Sequence, residues 1–234
     1  MKLFNRKNKK SSPEEKIDQL KKLIGNEDAE RLAALLKKEQ GKPPKIAVIG
    51  KSGVGKTTTI NNLFDADWKT SHSVAGTKRE QMENFNLAGG GMLTVYDLPG
   101  LGEDLDEDIE YEKIYRKILP EVDVVLWVLQ ANARDLAEDQ RIIRDIVLNS
   151  LDESKSKLVI GLNKVDQIGP GKWDEKLNFP SEEQEVSITR RCKDIKSKIS
   201  EVTTIHKDHI EYYSAEKRYR LYDLLSTLIS AADD

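Results

Sequence analysis

The feature that most constrains the fold of this chain is the segment from residue 50 to residue 57, which has the sequence GKSGVGKT. It matches the pattern G-x-x-x-x-G-K-[ST] without a gap, and it lies between the apolar run Lys45–Ile49 and a helix-like stretch, Thr57–Phe64. Glycines at these positions let backbone N–H groups turn inward around phosphate oxygens, and the start of a helix adds the positive end of its dipole. We therefore expect a strand–loop–helix unit that binds nucleotide phosphates, rather than a glycine-rich turn with an incidental lysine.

From Lys45 onward, short apolar runs alternate with longer amphipathic stretches. Four runs have the character of buried strands, one is typical of an edge strand and one of a final strand: Lys45–Ile49, Leu93–Tyr96, Val124–Leu129, Leu158–Leu162, Met82–Leu87 and Ile210–Tyr213. Helices are predicted at Thr57–Phe64, Ile109–Leu119, Leu136–Asn149, Ser181–Ser200 and Tyr219–Ile229. This alternation predicts an α/β fold in which a mostly parallel six-stranded sheet has helices on both faces.

The first 44 residues differ from the rest of the chain in charge. They contain 12 Lys or Arg and 7 Asp or Glu, whereas the whole chain of 234 residues has a net charge of −3. We expect a basic, disordered tail over residues 1–12, a helical hairpin over residues 13–44 and a nucleotide-binding domain over residues 45–234. A basic arm on an acidic body favours contact with RNA or with an anionic membrane, although a solvated tail would have the same composition.

The apolar runs and the cysteine content indicate the compartment. The longest uninterrupted apolar run, Val124–Leu129, is far too short to cross a bilayer, and the first ten residues lack the apolar stretch of a signal peptide. Because Cys192 is the single cysteine, an intramolecular disulfide is impossible. We expect a cytoplasmic protein, with peripheral membrane contact through the basic arm as an alternative.

The sequence Asn163-Lys164-Val165-Asp166 follows a predicted strand and has the residue types of a base pocket. The Asp166 carboxylate can accept two hydrogen bonds, from guanine N1–H and N2–H₂, whereas adenine has no such pair of donors on that edge. The Lys164 stem can lie over the base, and Asn163 can join this loop to the phosphate loop. Ser214-Ala215 closes the last strand, where the Ala215 N–H could reach guanine O6. Together these residues predict a guanine nucleotide.

The phosphate loop and the segment Asp97–Gly100 together predict a magnesium site and a sensor of the γ-phosphate. The Thr57 hydroxyl and the Asp97 carboxylate are expected to hold Mg²⁺, Asp97 through a water, while Lys56 reaches the β- and γ-phosphates. Gly100, at the end of Asp97-Leu98-Pro99-Gly100, is expected to offer its N–H to the γ-phosphate. The residues predicted to line the phosphates are Ser52, Gly53, Val54, Gly55, Lys56, Thr57, Thr58 and Gly100.

Four elements in this order, GKSGVGKT at 50–57, DLPG at 97–100, NKVD at 163–166 and SA at 214–215, resemble a translation-factor-class small GTPase domain of the Era-like branch. The resemblance covers roughly residues 45–230, and the stretches Tyr111–Asp139 and Asn163–Asp174 are most similar to bacterial YfjP-type GTPases. It implies that the chain binds GTP and GDP with Mg²⁺, hydrolyses GTP and acts as a switch. By the same resemblance, Thr77 is the switch threonine that joins Mg²⁺ in the triphosphate state, with Thr70 as the competing residue.

Leu101 occupies the position at which many relatives have a glutamine that orients the attacking water. A leucine side chain cannot hold water by a hydrogen bond, so we expect slow turnover, with Lys56, Thr77 and Gly100 as the catalytic residues. The replacement group could be Glu103, Asp104 or His72, or an arginine from a partner or from a second subunit in a GTP-dependent homodimer. The alternative functions are a binding module with negligible hydrolysis and a GTP-gated dimerising scaffold at an RNA or membrane surface.

Overall fold

The computed structural model of the chain describes residues 44–64, 66–68, 80–86, 92–102, 104–152, 156–204 and 209–233. The strands are β1 Lys45–Ile49, β2 Gln81–Asn86, β3 Met92–Asp97, β4 Val124–Gln130, β5 Lys157–Asn163, β6 Trp173–Asp174, β7 Phe179–Pro180 and β8 Ile210–Tyr212. The α-helices are α1 Lys56–Phe64, α2 Leu105–Ile118, α3 Ala137–Ile142, α4 Glu182–Ile199 and α5 Leu221–Asp233.

Six of the strands form one sheet in the order β2-β3-β1-β4-β5-β8. Strand β2 runs antiparallel to β3, and the other neighbours are parallel. The predicted α/β fold with a mostly parallel six-stranded sheet is therefore confirmed. Because the carboxyl ends of β1, β3, β4, β5 and β8 meet at one edge of this sheet, the loops that carry the sequence motifs gather there.

Alternate residues of the central strands face opposite layers of the core. In β1, Ile46 and Val48 pack in the layer covered by α1 and α5, whereas Ala47 and Ile49 pack in the layer covered by α2, α3 and α4. Strand β4 behaves in the same way, and its Trp127 side chain is completely buried. Helices cover both faces of the sheet, as the sequence predicts.

Three of the helices differ from the prediction, and one of them, α5, begins two residues after the predicted Tyr219 and ends four residues after the predicted Ile229. Helix α2 begins four residues before the predicted start at Ile109, because the Asp104 carboxylate caps it by accepting hydrogen bonds from the backbone N–H groups of Asp106 and Glu107. The stretch predicted as one helix, Leu136–Asn149, consists of α3, a π-helical turn over Ile143–Val147 and a 3₁₀ turn over Leu148–Ser150. The hairpin formed by β6 and β7 was not predicted, because strands of two residues carry no periodicity.

Several predictions lie outside the described residues. They concern the basic tail over residues 1–12, nearly all of the helical hairpin over residues 13–44, and the candidate residues Thr70, His72, Thr77 and Glu103. Among the helices that the structure describes, none is both long enough and apolar enough to span a membrane.

Candidate functional site

The phosphate loop, residues 50–57, connects the end of β1 to the start of α1. Gly50 has a positive φ of 141°, and a Cβ atom there would lie 2.4 Å from the Val128 carbonyl oxygen, so only glycine fits. The Lys56 side chain is 6% exposed and lies against the phosphate loop, where its Nζ donates hydrogen bonds to the carbonyl oxygens of Gly50 (3.1 Å) and Lys51 (3.0 Å). The ammonium group is therefore held inside the loop at which phosphates are expected.

The two predicted magnesium ligands are in contact with each other. Thr57, in the first turn of α1, donates a hydrogen bond from Oγ1 to Oδ2 of Asp97, at the end of β3, over 2.6 Å. Both side chains are buried, and Asp97 is completely so. A hydroxyl and a carboxylate oxygen are hard donors of the kind that Mg²⁺ prefers, so this pair fits the ion that the sequence predicts.

Gly100 lies directly against the phosphate loop. A Cβ atom at this position would be 2.6 Å from the backbone nitrogen of Ser52 and 2.8 Å from Lys56 Nζ. The buried Tyr115 hydroxyl of α2 donates a hydrogen bond to the Pro99 carbonyl oxygen over 2.8 Å, which fixes the segment from the core side. A backbone N–H at position 100 is thus available next to the lysine that is expected to bind the γ-phosphate.

Leu101 points away from the expected position of the γ-phosphate. Its side chain is 1% exposed and packs in the core layer that contains Tyr115, while its carbonyl oxygen accepts a hydrogen bond from the Ser52 N–H over 3.4 Å. Asp104 was one of the candidates for replacing the missing glutamine, but its Oδ1 accepts the two capping hydrogen bonds of α2. Within the described part of the chain, neither residue is placed to orient a water.

The segment after Leu101 is held by the Asp108 side chain and lies close to Glu138. The Gly102 N–H donates to both carboxylate oxygens of Asp108, over 3.0 and 3.1 Å, and a Cβ atom on Gly102 would lie 3.1 Å from Glu138 Oε2. Burial raises the pKa of Asp108, and the hydrogen bond from Gly102 opposes that rise. The hydrogen bonds join the residues after the DLPG segment to the first turn of α2, and Glu138 of α3 lies close to them.

A buried ion pair between the phosphate loop and α3 was missed by sequence reasoning. Lys51 Nζ lies 2.9 Å from Asp139 Oδ2, and Asp139 is 1% exposed, although it lies in a strongly charged part of the predicted helix Leu136–Asn149. Burial raises the pKa of Asp139, and the hydrogen bond and charge of Lys51 act in the opposite direction. No local pattern distinguishes Asp139 from its exposed acidic neighbours, so only the tertiary structure reveals the pair.

Asn163 links three loops at the edge of the sheet. Its Nδ2 donates to the Val54 carbonyl oxygen over 2.8 Å, and its Oδ1 accepts from the backbone N–H groups of Lys164 (2.8 Å) and Ala215 (2.9 Å). The link to the phosphate loop is the one expected from the sequence. The Ala215 N–H donates to Asn163, so the contact between that N–H and guanine O6 stays a prediction.

Lys164 contacts the phosphate loop, and Asp166 lies in the short 3₁₀ turn that follows it, Val165–Gln167. Lys164 has a left-handed backbone, with φ of 65°, and its Nζ donates to the Gly53 carbonyl oxygen over 2.7 Å. Burial lowers the pKa of this lysine, and the charge of Asp166 opposes the change. Asp166 Oδ1 is buried and has no hydrogen-bond partner within the described residues. A buried carboxylate oxygen without a donor is costly, and a ligand that offers N–H groups would satisfy it.

Ser214 and Ala215 are held by contacts that no sequence motif indicated. The backbone groups of Ser214 and Tyr219 exchange two hydrogen bonds, of 3.1 and 3.0 Å. Asn62 of α1 donates from Nδ2 to the Ala215 carbonyl oxygen over 2.9 Å. The remaining residues predicted to bind phosphate, Ser52, Gly53, Gly55 and Thr58, lie in the phosphate loop and the first turn of α1.

Comparison with known proteins agrees with this geometry. A family model described as "50S ribosome-binding GTPase" matches residues 45–164. The chain is 31% identical over 148 residues to the uncharacterized protein YfjP of Escherichia coli K12, an alignment that covers 63% of this chain and 50% of YfjP. The chain thus spans about half the length of the curated relatives that it matches.

Solved structures share the fold. Era in complex with MgGDPNP and a segment of 16S ribosomal RNA aligns with a TM-score of 0.63 at 23% identity, over 81% of this chain and 56% of that chain. A dimerisation-deficient variant of Toc33 from Arabidopsis thaliana aligns with a TM-score of 0.64 at 19% identity, over 88% of this chain and 92% of that chain. At these identities the likeness establishes the fold alone.

Proposed function

The chain belongs to the GTPase family described as "50S ribosome-binding GTPase", whose family model matches residues 45–164. On that premise we propose that it binds GTP and GDP with Mg²⁺ and hydrolyses GTP slowly to GDP and phosphate. The observation that carries the proposal is the buried Asp166 Oδ1, which lacks a hydrogen-bond partner in the described structure and lies two residues after Lys164, whose Nζ donates to the Gly53 carbonyl oxygen of the phosphate loop. Guanine N1–H and N2–H₂ would supply the donors. ATP offers no matching pair, so we expect strong discrimination against it.

The phosphate end of the site supports hydrolysis by in-line attack of water on the γ-phosphate. Lys56 and the Gly100 N–H would stabilise the charge that develops on the phosphate oxygens, and Thr57 and Asp97 would hold Mg²⁺. When bound, the ion would supply positive charge that neutralises the charge developing on the triphosphate. Thr77 is proposed as the third magnesium ligand of the triphosphate state, on the resemblance alone.

The proposed turnover is slow because Leu101 is buried and offers no hydrogen bond to water. Removal of one such positioning contact typically lowers kcat by about 10²-fold. A binding module with negligible hydrolysis is not favoured, since the family consists of GTPases. The experiment is a single-turnover assay, in which GDP should accumulate over minutes to hours and should fail to appear in Lys56→Ala.

The guanine assignment has a sharper test in Asp166→Asn. An asparagine side chain presents an N–H₂ group to guanine N1–H and N2–H₂, but it can pair with the extra carbonyl of xanthine. We expect GDP affinity to fall by about 10²-fold or more and XDP affinity to rise. Unchanged GDP preference, measured by titration calorimetry, would contradict the base pocket.

The partner is proposed from the charge pattern and from the relatives. The net positive arm over residues 1–44 is suited to RNA, including the ribosome, or to an anionic membrane at the periphery of the cytoplasm. Era has been crystallised with ribosomal RNA and Toc33 as a dimerisation-deficient variant, which supports RNA contact and a GTP-dependent homodimer as the two routes to test. Size-exclusion chromatography with GDP and with a non-hydrolysable GTP analogue tests the dimer. Retention on RNA or liposomes before and after deletion of residues 1–12 tests the arm.

A further inference from the structure

The segment Trp173–Gln184, here called the base clamp, comprises the β6–β7 hairpin and the first turn of α4. It lies between the two loops assigned to guanine, Asn163–Asp166 and Ser214–Tyr219, and it contacts both. No sequence motif pointed to it.

One end of the base clamp holds the loop that carries Asp166. The Gln184 side chain is 1% exposed, and its Nε2 donates to the carbonyl oxygens of Asp166 (2.9 Å) and Ile168 (3.0 Å). Gly171 packs so tightly on this turn of α4 that a Cβ atom there would lie 2.5 Å from the Gln184 backbone nitrogen. The backbone position of Asp166 therefore depends on a buried side-chain amide that has no described hydrogen bond with the phosphate loop.

The other end of the base clamp holds the Ser214–Tyr219 loop. Asn178 donates from Nδ2 to the Lys217 carbonyl oxygen over 2.9 Å, and Glu175 pairs with Lys217 Nζ at 2.7 Å. Trp173 and Phe179 place their rings edge-on to Tyr219, with centroids 5.0 and 5.6 Å away.

Tyr219 connects the base clamp to the residues that are expected to bind the base. It exchanges two backbone hydrogen bonds with Ser214, the neighbour of Ala215. We propose that the base clamp positions both guanine loops at once, so that it sets the guanine preference of the site and the residence time of the nucleotide. This inference rests on the proposed function, because it requires guanine to occupy the space beside Asp166.

The geometry separates base binding from chemistry. The side-chain amides of Gln184 and Asn178 donate to the segments that carry the base loops, Asn178 Oδ1 accepts from Trp173 Nε1 within the clamp, and neither side chain has a described hydrogen bond with the phosphate loop. Loosening the clamp should therefore raise the dissociation rates of GDP and GTP and leave kcat at saturating GTP unchanged. Gln184 and Asn178 are positioning residues in this scheme, since they act through Asp166 and Ser214.

Two variants test the proposal. Gln184→Met keeps the side-chain volume but removes both donors and leaves the carbonyl oxygens of Asp166 and Ile168 without them. This should lower the stability of the fold, partly offset by the removal of Oε1, which is buried without a hydrogen-bond partner in the described structure, so Tm is measured for every variant. Asn178→Gly removes the side chain while tolerating the positive φ of 52° at this position. The matched controls are Lys176→Ala and Leu177→Ala, both at exposed hairpin positions whose side chains have no described contact with either base loop.

The probe is a fluorescent GDP derivative, displaced by excess GDP in a stopped-flow instrument. We expect release to be about tenfold faster in Gln184→Met and in Asn178→Gly and unchanged in the controls, as the loss of one or two positioning hydrogen bonds implies. The preference for GDP over IDP, which lacks the 2-amino group, should narrow in Gln184→Met, an effect that general destabilisation would not cause. Wild-type release rates in both variants, or equal acceleration in the controls, would overturn the proposal.

A failed clamp can be told apart from a failed guanine site. If wild-type protein prefers guanine nucleotides and Asp166→Asn shifts it toward xanthine, while the clamp variants release GDP at the wild-type rate, the clamp alone is wrong. If wild-type protein shows no guanine preference, the proposed function is wrong as well.

Discussion

Gly100→Ala tests whether the close contact between the DLPG segment and the phosphate loop places the Gly100 N–H at the γ-phosphate. A Cβ atom at position 100 would lie 2.6 Å from Ser52 N, 2.7 Å from Ser52 Cα and 2.8 Å from Lys56 Nζ, and Cβ contacts below 3.0 Å are essentially never seen. The Lys56 amine can move away, but the Ser52 contacts are with backbone. Ordinary contact at 3.4 Å therefore requires the two segments to separate by about 0.8 Å.

Moving the two segments apart should lower the free energy of unfolding, and it should lower the affinity for GTP more strongly. Overpacking of this kind costs about 1–3 kcal/mol, which for a chain of this size lowers Tm by about 2–12 °C. The Gly100 N–H would also be displaced from the γ-phosphate, so we expect affinity for a non-hydrolysable GTP analogue to fall by about 10–100-fold, and affinity for GDP by less.

Titration calorimetry with both nucleotides is the assay, and Gly169→Ala is the control, because a Cβ atom at position 169 has nothing within 4 Å. If Gly100→Ala binds the GTP analogue and GDP as wild-type protein does, the assignment of Gly100 to the γ-phosphate is wrong. An equal loss for both nucleotides would mean that the substitution deforms the phosphate loop without any special relation to the γ-phosphate.

Three other substitutions have expected outcomes. Leu101→Gln should not raise kcat, and it should lower Tm by about 5–10 °C, because a polar amide would replace a side chain that is 1% exposed. Faster hydrolysis with an unchanged Tm would show instead that position 101 faces the nucleotide. Lys51→Met should destabilise the fold by about 3 kcal/mol at neutral pH by leaving Asp139 buried without its cation. Burial already raises the pKa of Asp139, and the loss of Lys51 would raise it further, so the variant should regain stability as pH falls through that pKa. Urea denaturation at pH 5 and pH 8 measures the free energy of unfolding. Equal losses of stability at both pH values would contradict the prediction. Lys56→Ala should weaken binding of the GTP analogue by about 10²-fold or more in calorimetry, whereas the exposed Lys176→Ala should bind it normally.

The sheet could be predicted from sequence because its central strands are buried on both sides. Val124–Leu129 is continuously apolar, and a run of that kind has few alternatives in a soluble α/β domain. The phosphate loop and Asn163–Asp166 could be predicted because each requires specific residue types at fixed spacing directly after such a strand. Their mutual contact, from Asn163 to Val54, followed from the topology once both were placed at strand ends.

The contacts that sequence reasoning missed are long-range and use residue types that are usually exposed. Asp139 and Gln184 are 1% exposed, yet both lie on charged, amphipathic helices, where the sequence predicts solvent. Their burial depends on how α3 and α4 pack against the loops, which no local window contains. Thr59 and Tyr213, whose hydroxyls lie 2.9 Å apart in the core, were missed for the same reason.

The two ends of the site differ in how completely this chain supplies them. At the base end, buried amides of Asn163 and Gln184 fix the loops by side-chain hydrogen bonds, so we expect nucleotide specificity to be set within the described residues. At the γ-phosphate end, Leu101 is buried and Asp104 Oδ1 is engaged in capping, so we expect another group to orient the attacking water. We therefore expect guanine affinity to be insensitive to protein concentration and to added partners. The hydrolysis rate is the quantity that residues outside the described ranges, a partner or a second copy of the chain would change. Initial rates measured over a hundredfold range of protein concentration separate these sources, because only a second copy makes kcat rise with concentration.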